Sequence, residues 1–455
     1  MSITALKALA QLIISNVETI ESTCQSKGTE FPSLDDLFEP SVLDAHPAIL
    51  GASRQIVAAA AQIIATVRPP MELLSEHATG MYSTAALAFI NSNDVVDVIQ
   101  LNGTRGMHSK EIGQKIGVDG SKVDRVLRYL ATRHIFREVR PNVFVNNKVS
   151  SLLLKSKPWD ELVADPSSKY AGALGASAIG HTTEEGFMGA PYIPQFLKNP
   201  GQYQSPFNMS IKDTTNIFAW YEQAENLWRG RRFVVGMRGA GERFPPEIFT
   251  SAIDWKGLPQ GSTVVDVGAN VGTVTLPLAK AFPHLHFILQ DLDHAISDAK
   301  VFWQDRFPEA LSERRVEFQV HDFFTPMPVK ADVYFLRLIL HDWPQEEGIK
   351  ILKHIRAAAK PTSILIIFEM IVLHACPETS KFAAQSPVPP APPPLLANYG
   401  LGFGGFVTMA DMQMLNLLGG RERTIEEFEE LGRESGWKLE TVKPGPISAF
   451  IYTPE

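Results

Sequence analysis

The second half of the chain alternates between two hydrophobic rhythms. From Ser262 onward, short β-branched runs alternate with stretches at helical spacing. TVVDVG predicts a strand and LPLAKAF a helix after it. HFILQD predicts a second strand and AISDAKVFWQDRF its helix. VEFQVHDFF, ADVYFLRLIL, SILIIFEMIV and the terminal SAFIYTPE predict further strands, with helices near 345–359 and 424–436. Such alternation implies an open α/β sheet that binds ligands at the carboxyl ends of its strands.

The first half reads differently. Leu6, Ala10, Ile13, Ile14 and Val17 recur at helical spacing, so residues 3–23 predict an amphipathic helix. Pro47 to Val67 is rich in Ala and Ile with few charges. A helix so apolar on most faces is expected to be buried, in its own domain or against a partner chain. Another helical run is expected over 71–101, after Pro69–Pro70. Residues 105–148 then predict a helix with Ser109 as its N-cap, a tight turn at Gly120 and a second helix. FREV and NVFV follow as short strands, which completes a winged-helix pattern. Lys122, Arg125, Arg128 and Arg133 fall on the second helix. A DNA-reading helix is therefore weighed against a winged helix used only for packing.

Between 157 and 245 the chain becomes aromatic, with Phe207, Trp220, Tyr221, Trp228 and Phe233 interspersed with Met188, Met209 and Met237. That mixture suits a helical core or a pocket for a flat apolar ligand. The proline-rich stretch 386–405 is stiff and reads as a surface lid.

Composition narrows the class. A chain of 455 residues with 20% charged residues fits a soluble protein of two or three domains. The formal charge of −8 argues against nucleic acid as the main partner. Cys24 and Cys376 form neither metal-ligand spacing nor a disulfide framework, which fits a reducing, cytoplasmic setting. No uninterrupted apolar run reaches the roughly 18 residues of a membrane span, so no membrane association is expected. The region before the first apolar stretch is not basic, so no signal peptide is expected.

Candidate chemistry lies at the strand ends. In VVDVGANVGTVT, Asp266 precedes Gly268 and Gly272. The pattern D-x-G-x-x-x-G differs from the three-glycine dinucleotide turn. Asp291 ends the next strand, where a carboxylate can accept ribose hydroxyls. Asp322 and Phe323 follow the third strand and suit an adenine amino group and ring. Arg337 and then His341–Asp342–Trp343 follow the fourth, and Glu369 ends ILIIFE. Taken singly, such residues commonly just start loops, and His341 or Asp342 can serve only as a helix cap. Together they describe a nucleoside crevice with one imidazole at its rim.

VVDVGANVGT, QDLD, HDFF, LRLILHDW, FEMIV and GGRERT, in this order, resemble the motif set of the class I S-adenosylmethionine-dependent O-methyltransferases. The likeness is to the plant caffeic-acid type and its fungal relatives, over about residues 80–455. It implies a Rossmann-like sheet behind a mainly α, winged-helix dimerisation domain. The expected divisions are 1–155 for dimerisation, 156–250 for a helical linker and acceptor pocket, and 251–455 for cofactor binding and catalysis. By resemblance, Asp266, Gly268, Gly272, Asp291, Leu292, Asp322, Phe323 and Arg337 hold S-adenosylmethionine. Arg337 stands where the family usually has Lys, and Ala269 and Asn270 replace two glycines of the turn. The resemblance makes His341 the general base, with Glu369 and Glu422 as its flanking acids. Met237, Trp343 and Asn398 are the implied substrate contacts. The implied protein is a homodimer that methylates a small aromatic hydroxyl compound, in secondary metabolism, without a metal. A winged-helix regulator, an inactive scaffold and an N-methyltransferase are the competing readings.

Overall fold

The computed structural model describes residues 3–241, 244–378 and 381–455. The chain forms two units, Met1–Arg243 and Phe244–Glu455. The expected 156–250 segment falls mostly in the first.

In the first unit, helices Ile3–Lys27 and Pro47–Val67 pack on each other. Only Ile49, Ala52, Ala58 and Ala59 of the second helix are buried, while Leu50, Val57, Ile64 and Val67 stay exposed. The expectation that this helix is buried is therefore not met within one chain. Both helices are long and apolar enough to cross a membrane. Gln, Ser and Thr break up the apolar residues of both helices, so neither shows in the sequence as an uninterrupted apolar run.

The helical run after Pro69 is three helices, Pro70–Ala78, Met81–Ser92 and Val95–Gln100. Asp94, in a left-handed conformation (φ 53°), separates the last two. The winged helix has helices Ser109–Ile116 and Gly120–Ala131 and a three-stranded sheet, one strand more than expected. His108 rather than Ser109 is the N-cap, its ring nitrogen accepting from Lys110 N at 3.1 Å. Ser109 already lies inside the helix. Arg128 bonds Asn142 Oδ1 at 2.5 Å, and the Arg133 guanidinium lies 3.7 Å over the Tyr129 ring. Those two bases are thus engaged within the fold.

Further along, helix Leu174–His181 continues into a π-helical turn, Thr182–Gly186, and packs on helix Leu227–Gly241. Between them the buried Glu185 meets Arg229 and Arg232, each at 2.6 Å. The Tyr221 hydroxyl lies 3.1 Å from His181 Nδ1, which in turn faces Glu185 at 3.3 Å. A buried carboxylate is tolerable only with such partners. The aromatic stretch divides between core and surface. Phe207, Trp220 and Tyr221 are buried, whereas Met188, Trp228 and Met237 are exposed.

The second unit is built on seven strands. They are β1 (Thr263–Val267), β2 (His286–Asp291), β3 (Val316–Val320), β4 (Val333–Arg337), β5 (Ile364–Glu369), β6 (Trp437–Lys443) and β7 (Ser448–Pro454). Their order across the sheet is β3-β2-β1-β4-β5-β7-β6. The first five are parallel, and β7 runs antiparallel between β5 and β6. β1 and β4 are near-continuous buried runs, as parallel strands covered on both faces must be. β6 was not anticipated: WKLETVK exposes Lys438, Glu440 and Lys443, a charge load that protects an edge but blurs the strand signal. The chain steps outward from β1 to β2 and β3, then crosses back to β4 on the other side of β1. This topological switch opens a crevice at the carboxyl ends of those two strands.

The segment after β5 is not a loose lid. Val388, Leu395 and Tyr399 are buried, and Ala397 N donates to Ala375 O at 3.1 Å. Its apolar residues drive it onto the domain, and the helix that follows, Gly404–Leu418, begins inside the stretch assigned to the lid.

The turn between β1 and helix Thr275–Ala281 holds three residues at positive φ: Gly268 (76°), Asn270 (50°) and Gly272 (81°). Asn270 thus takes the backbone role that a glycine would fill, which an L-residue with a short polar side chain tolerates best. Pro277 sits in the first turn of that helix, where its missing N–H costs nothing. A Cβ on Gly272 would lie 2.3 Å from Leu289 Cδ2 and 2.8 Å from Trp303 Nε1. That indole is itself fixed by a 3.0 Å bond to Val271 O. Gly272→Ala should therefore destabilise the protein by about 2–4 kcal/mol in denaturant unfolding, by crowding and backbone strain together. An unchanged midpoint would contradict this packing.

Candidate active site

A buried carboxylate organises the end of β4. Glu369, at the end of β5, accepts from the backbone N–H groups of Ile339 (3.0 Å), Leu340 (2.8 Å) and His341 (3.3 Å) through Oε1. Those N–H groups open a short 3₁₀ turn, Leu340–Asp342, and would otherwise be orphaned. Glu369 is fully buried and its carboxyl is pushed up to about 7, chiefly by burial. It lies 3.8 Å from His341 Nδ1 through its other oxygen. Its role is thus largely to hold the turn rather than to touch the ring.

The ring contact belongs to Glu422. His341 Nδ1 donates to Glu422 Oε1 at 2.8 Å, while Nε2 lies 3.5 Å from Asp342 Oδ1. Burial alone pulls the imidazole down. The carboxylates of Glu369, Asp342 and Glu422 more than offset it and push the ring up to about 10. Asp342 rises to about 6 by burial. With Nδ1–H committed to Glu422, the neutral ring presents its lone pair on Nε2.

No acidic cluster suited to a metal stands out in the sequence. The structure brings together two groups whose donor atoms lie within 4.8 Å of one another: His341, Glu369 and Glu422, and near the surface His374, Glu378 and Glu426. In the first, the histidine is already bonded to a glutamate.

The crevice residues gather on the neighbouring strand ends. Asp266 is buried on β1, and Thr275 donates its hydroxyl to it. Burial, with Asp291 nearby, pushes Asp266 up to about 7 against the pull of Thr275 and Arg337. Asp291 accepts from Asn270 N and Leu292 N, both at 2.7 Å, so one backbone amide aims each oxygen. Leu292 is exposed beside it. Gly268 faces Ile339 and Phe323: a Cβ there would lie 2.5 Å from Ile339 Cδ1 and 3.8 Å from Phe323 Cε1. Asp322 is exposed and accepts from Phe324 N at 2.9 Å. Arg337 is held 5.5 Å over the Phe244 ring, and its buried Nε lacks a hydrogen-bond partner among the described residues.

The expected substrate contacts fall on separate elements of the chain. Trp343 packs edge-on against Phe324 (4.6 Å) and Phe323 (5.9 Å), beside the crevice. Asn398 is buried, donating to Leu373 O (3.3 Å) and accepting from Gly400 N (3.0 Å), so its amide fastens its own loop. Met237 lies on helix Leu227–Gly241 of the first unit, with its side chain exposed. Sequence reading missed Thr275, Asp411 and Arg423. Asp411 Oδ1 accepts from Glu422 N at 2.9 Å, and Arg423 is fully buried against the His341 turn. Arg423 stands in the quoted GGRERT motif, but nothing in its identity signals burial.

Two family models match the chain. Residues 75–156 match an O-methyltransferase dimerisation domain and residues 232–388 an O-methyltransferase domain. An O-methyltransferase of Armillaria gallica is 36% identical, covering 96% of this chain and 95% of its own length. 4-O-methyltransferase 1 of Phanerochaete chrysosporium is 35% identical, covering 95% and 94%. Among solved structures, the O-methyltransferase NcsB1 from neocarzinostatin biosynthesis, in complex with S-adenosylmethionine and 2-hydroxy-5-methyl naphthoic acid, superposes with a TM-score of 0.61. It is 21% identical, with 82% of this chain and 96% of that one covered. A winged-helix unit, a seven-stranded sheet with an antiparallel last strand and relatives matched along nearly their whole length agree: this chain belongs to the O-methyltransferase family.

Proposed function

We propose that this enzyme transfers a methyl group from S-adenosylmethionine to the hydroxyl of a small aromatic acceptor, with His341 as general base. The observation that carries the reading is the 2.8 Å bond from His341 Nδ1 to the buried Glu422. It fixes the tautomer that leaves Nε2 free to take a proton.

The crevice suits the cofactor. Gly268 leaves room that a side chain would fill, and Asp291 presents aimed carboxylate oxygens to a ribose. Arg337 offers an unsatisfied donor, fit for a carboxylate. Asp322 and Phe323 stand where an adenine amino group and ring would be met. When bound, S-adenosylmethionine supplies an electrophilic methyl group.

The remaining work falls to this chain. A phenol ionises near pH 10, so at neutral pH its proton must be removed as the oxygen attacks. With its imidazole pushed up to about 10, the ring is mostly protonated at neutral pH, and the neutral form that accepts the proton is the minor one there. The deprotonated ring is the active form, so turnover rises as the pH rises toward that value. Glu422 and Glu369 stabilise the imidazolium that forms. The naphthoic acid bound by the NcsB1 relative is a flat aromatic compound of the acceptor class proposed here.

The dimerisation-domain match and the exposed apolar face of helix Pro47–Val67 support a homodimer. Leu50, Val57 and Ile64 recur every seven residues, forming one apolar stripe with Arg54 set between Leu50 and Val57. A second copy laid on that stripe would supply the burial that one chain lacks. A cytoplasmic location is proposed with it.

Three outcomes test this reading. His341→Ala should bind the cofactor normally in calorimetry yet lose turnover by about 100- to 10,000-fold on phenols; an undiminished rate removes the base assignment. Glu422→Gln deletes a negative charge that raises the imidazole. Its rate profile should therefore move to lower pH, and a profile left in place would contradict the ion pair. Val57→Glu with Ile64→Glu should convert a dimer to a monomer on size exclusion. A monomeric parent protein would overturn the dimer.

A further inference from the structure

The turn that carries His341 is held at both ends. Glu369 takes its N–H groups and Arg423 takes its carbonyls. Arg423 Nη1 donates to Leu340 O at 2.7 Å, and Nη2 to Trp343 O at 2.9 Å. Nε reaches Gln345 Oε1 at 3.3 Å, and Nη1 also lies 3.4 Å from Arg421 O. The backbone around Arg423 is stitched in as well. Val372 N donates to Arg423 O at 3.0 Å, and Arg421 N donates to His341 O at 2.9 Å. Glu422, between those two arginines, has its N–H fixed by Asp411.

These bonds join the loop bearing Glu422 to the turn bearing His341. Arg423 is the side chain that spans both. Among the described residues, no carboxylate lies within ion-pair distance of its guanidinium. All its hydrogen bonds go to neutral carbonyl or amide oxygens. Burying a guanidinium without a paired anion is costly, so a hydrophobic residue would serve stability as well. A fork with fixed directions offers what a hydrophobic residue cannot. It sets the spacing of Leu340 O, Trp343 O and Arg421 O together. Lysine, a single point donor, cannot reach all three.

We propose that Arg423 is a positioning residue for methyl transfer. Its guanidinium fixes turn 340–343 against loop 421–423 and so sets the His341–Glu422 contact. The inference rests on His341 being the base.

The test uses the full-length enzyme. Arg423→Lys should lower kcat by about 10- to 100-fold, as a displacement near 1 Å of a catalytic group does. Cofactor affinity by calorimetry should stay within about threefold, since none of the Arg423 hydrogen bonds goes to a crevice residue. Because Arg423 acts through the His341–Glu422 contact, Arg423→Lys added to Glu422→Gln should cost no more than about twofold further. A kcat of Arg423→Lys within about twofold of the parent overturns the inference, as does a double mutant showing the product of the two losses. If Arg423→Lys does not fold, Gln345→Ala removes only the Nε acceptor. It should still lower kcat by about threefold with unchanged cofactor affinity, and an unchanged kcat overturns the inference. His341→Ala separates the two claims. Full activity there ends the base reading, whereas a dead His341→Ala beside a fully active Arg423→Lys ends only the positioning one.

Discussion

The bond between His341 and Glu422 joins residues 81 positions apart, and neither stands in a long regular element. Its 2.8 Å length therefore depends on whatever holds two loops in register. The parallel strands do most of this. β4 and β5 are adjacent, which places Glu369 under the turn that leaves β4, where its carboxylate gathers three N–H groups. The loop after helix Gly404–Leu418 then lies on the turn from the other side. Gly420 has no room for a side chain there: a Cβ would meet His341 O at 2.1 Å. Among the described residues, Glu369 Oε2 and Glu422 Oε2 stay buried without a hydrogen-bond partner, a cost that the surrounding bonds offset.

That arrangement explains why the imidazole is strongly basic. Burial alone would favour the neutral ring, yet three carboxylates surround it. Burial pushes Glu369 and Asp342 upward as well, so the cluster is a shared reservoir for protons rather than a set of independent acids. The residues that hold the ring are thus also those that set its basicity.

Much of this was legible in the sequence. The five parallel strands showed as β-branched runs, and the winged helix showed in its turn residues. Asp266, Asp291, Asp322 and His341 stand in the sequence at successive strand ends, where the structure also places them. Other features were hidden for physical reasons. β6 wears charges on an edge. The 386–405 stretch looked extended because proline dominates it, yet its Val, Leu and Tyr residues seek burial. The helix Pro47–Val67 was correctly delimited, but hydrophobicity says only that a face needs covering, not what covers it. Glu369 and Glu422 looked equivalent as flanking acids. Only the register of β4 and β5 shows that one holds the backbone while the other holds the ring. Arg423 escaped because arginine is almost always read as surface.

The central claim is that His341 accepts the acceptor's proton. It is tested most directly by methyl-transfer rates over a series of substituted phenols of graded acidity, at one neutral pH, for the parent enzyme and His341→Ala. The account predicts a shallow dependence on phenol acidity in the parent. It predicts a steep one in the variant, which can use only phenols already ionised in solution. The same dependence in both proteins would contradict it.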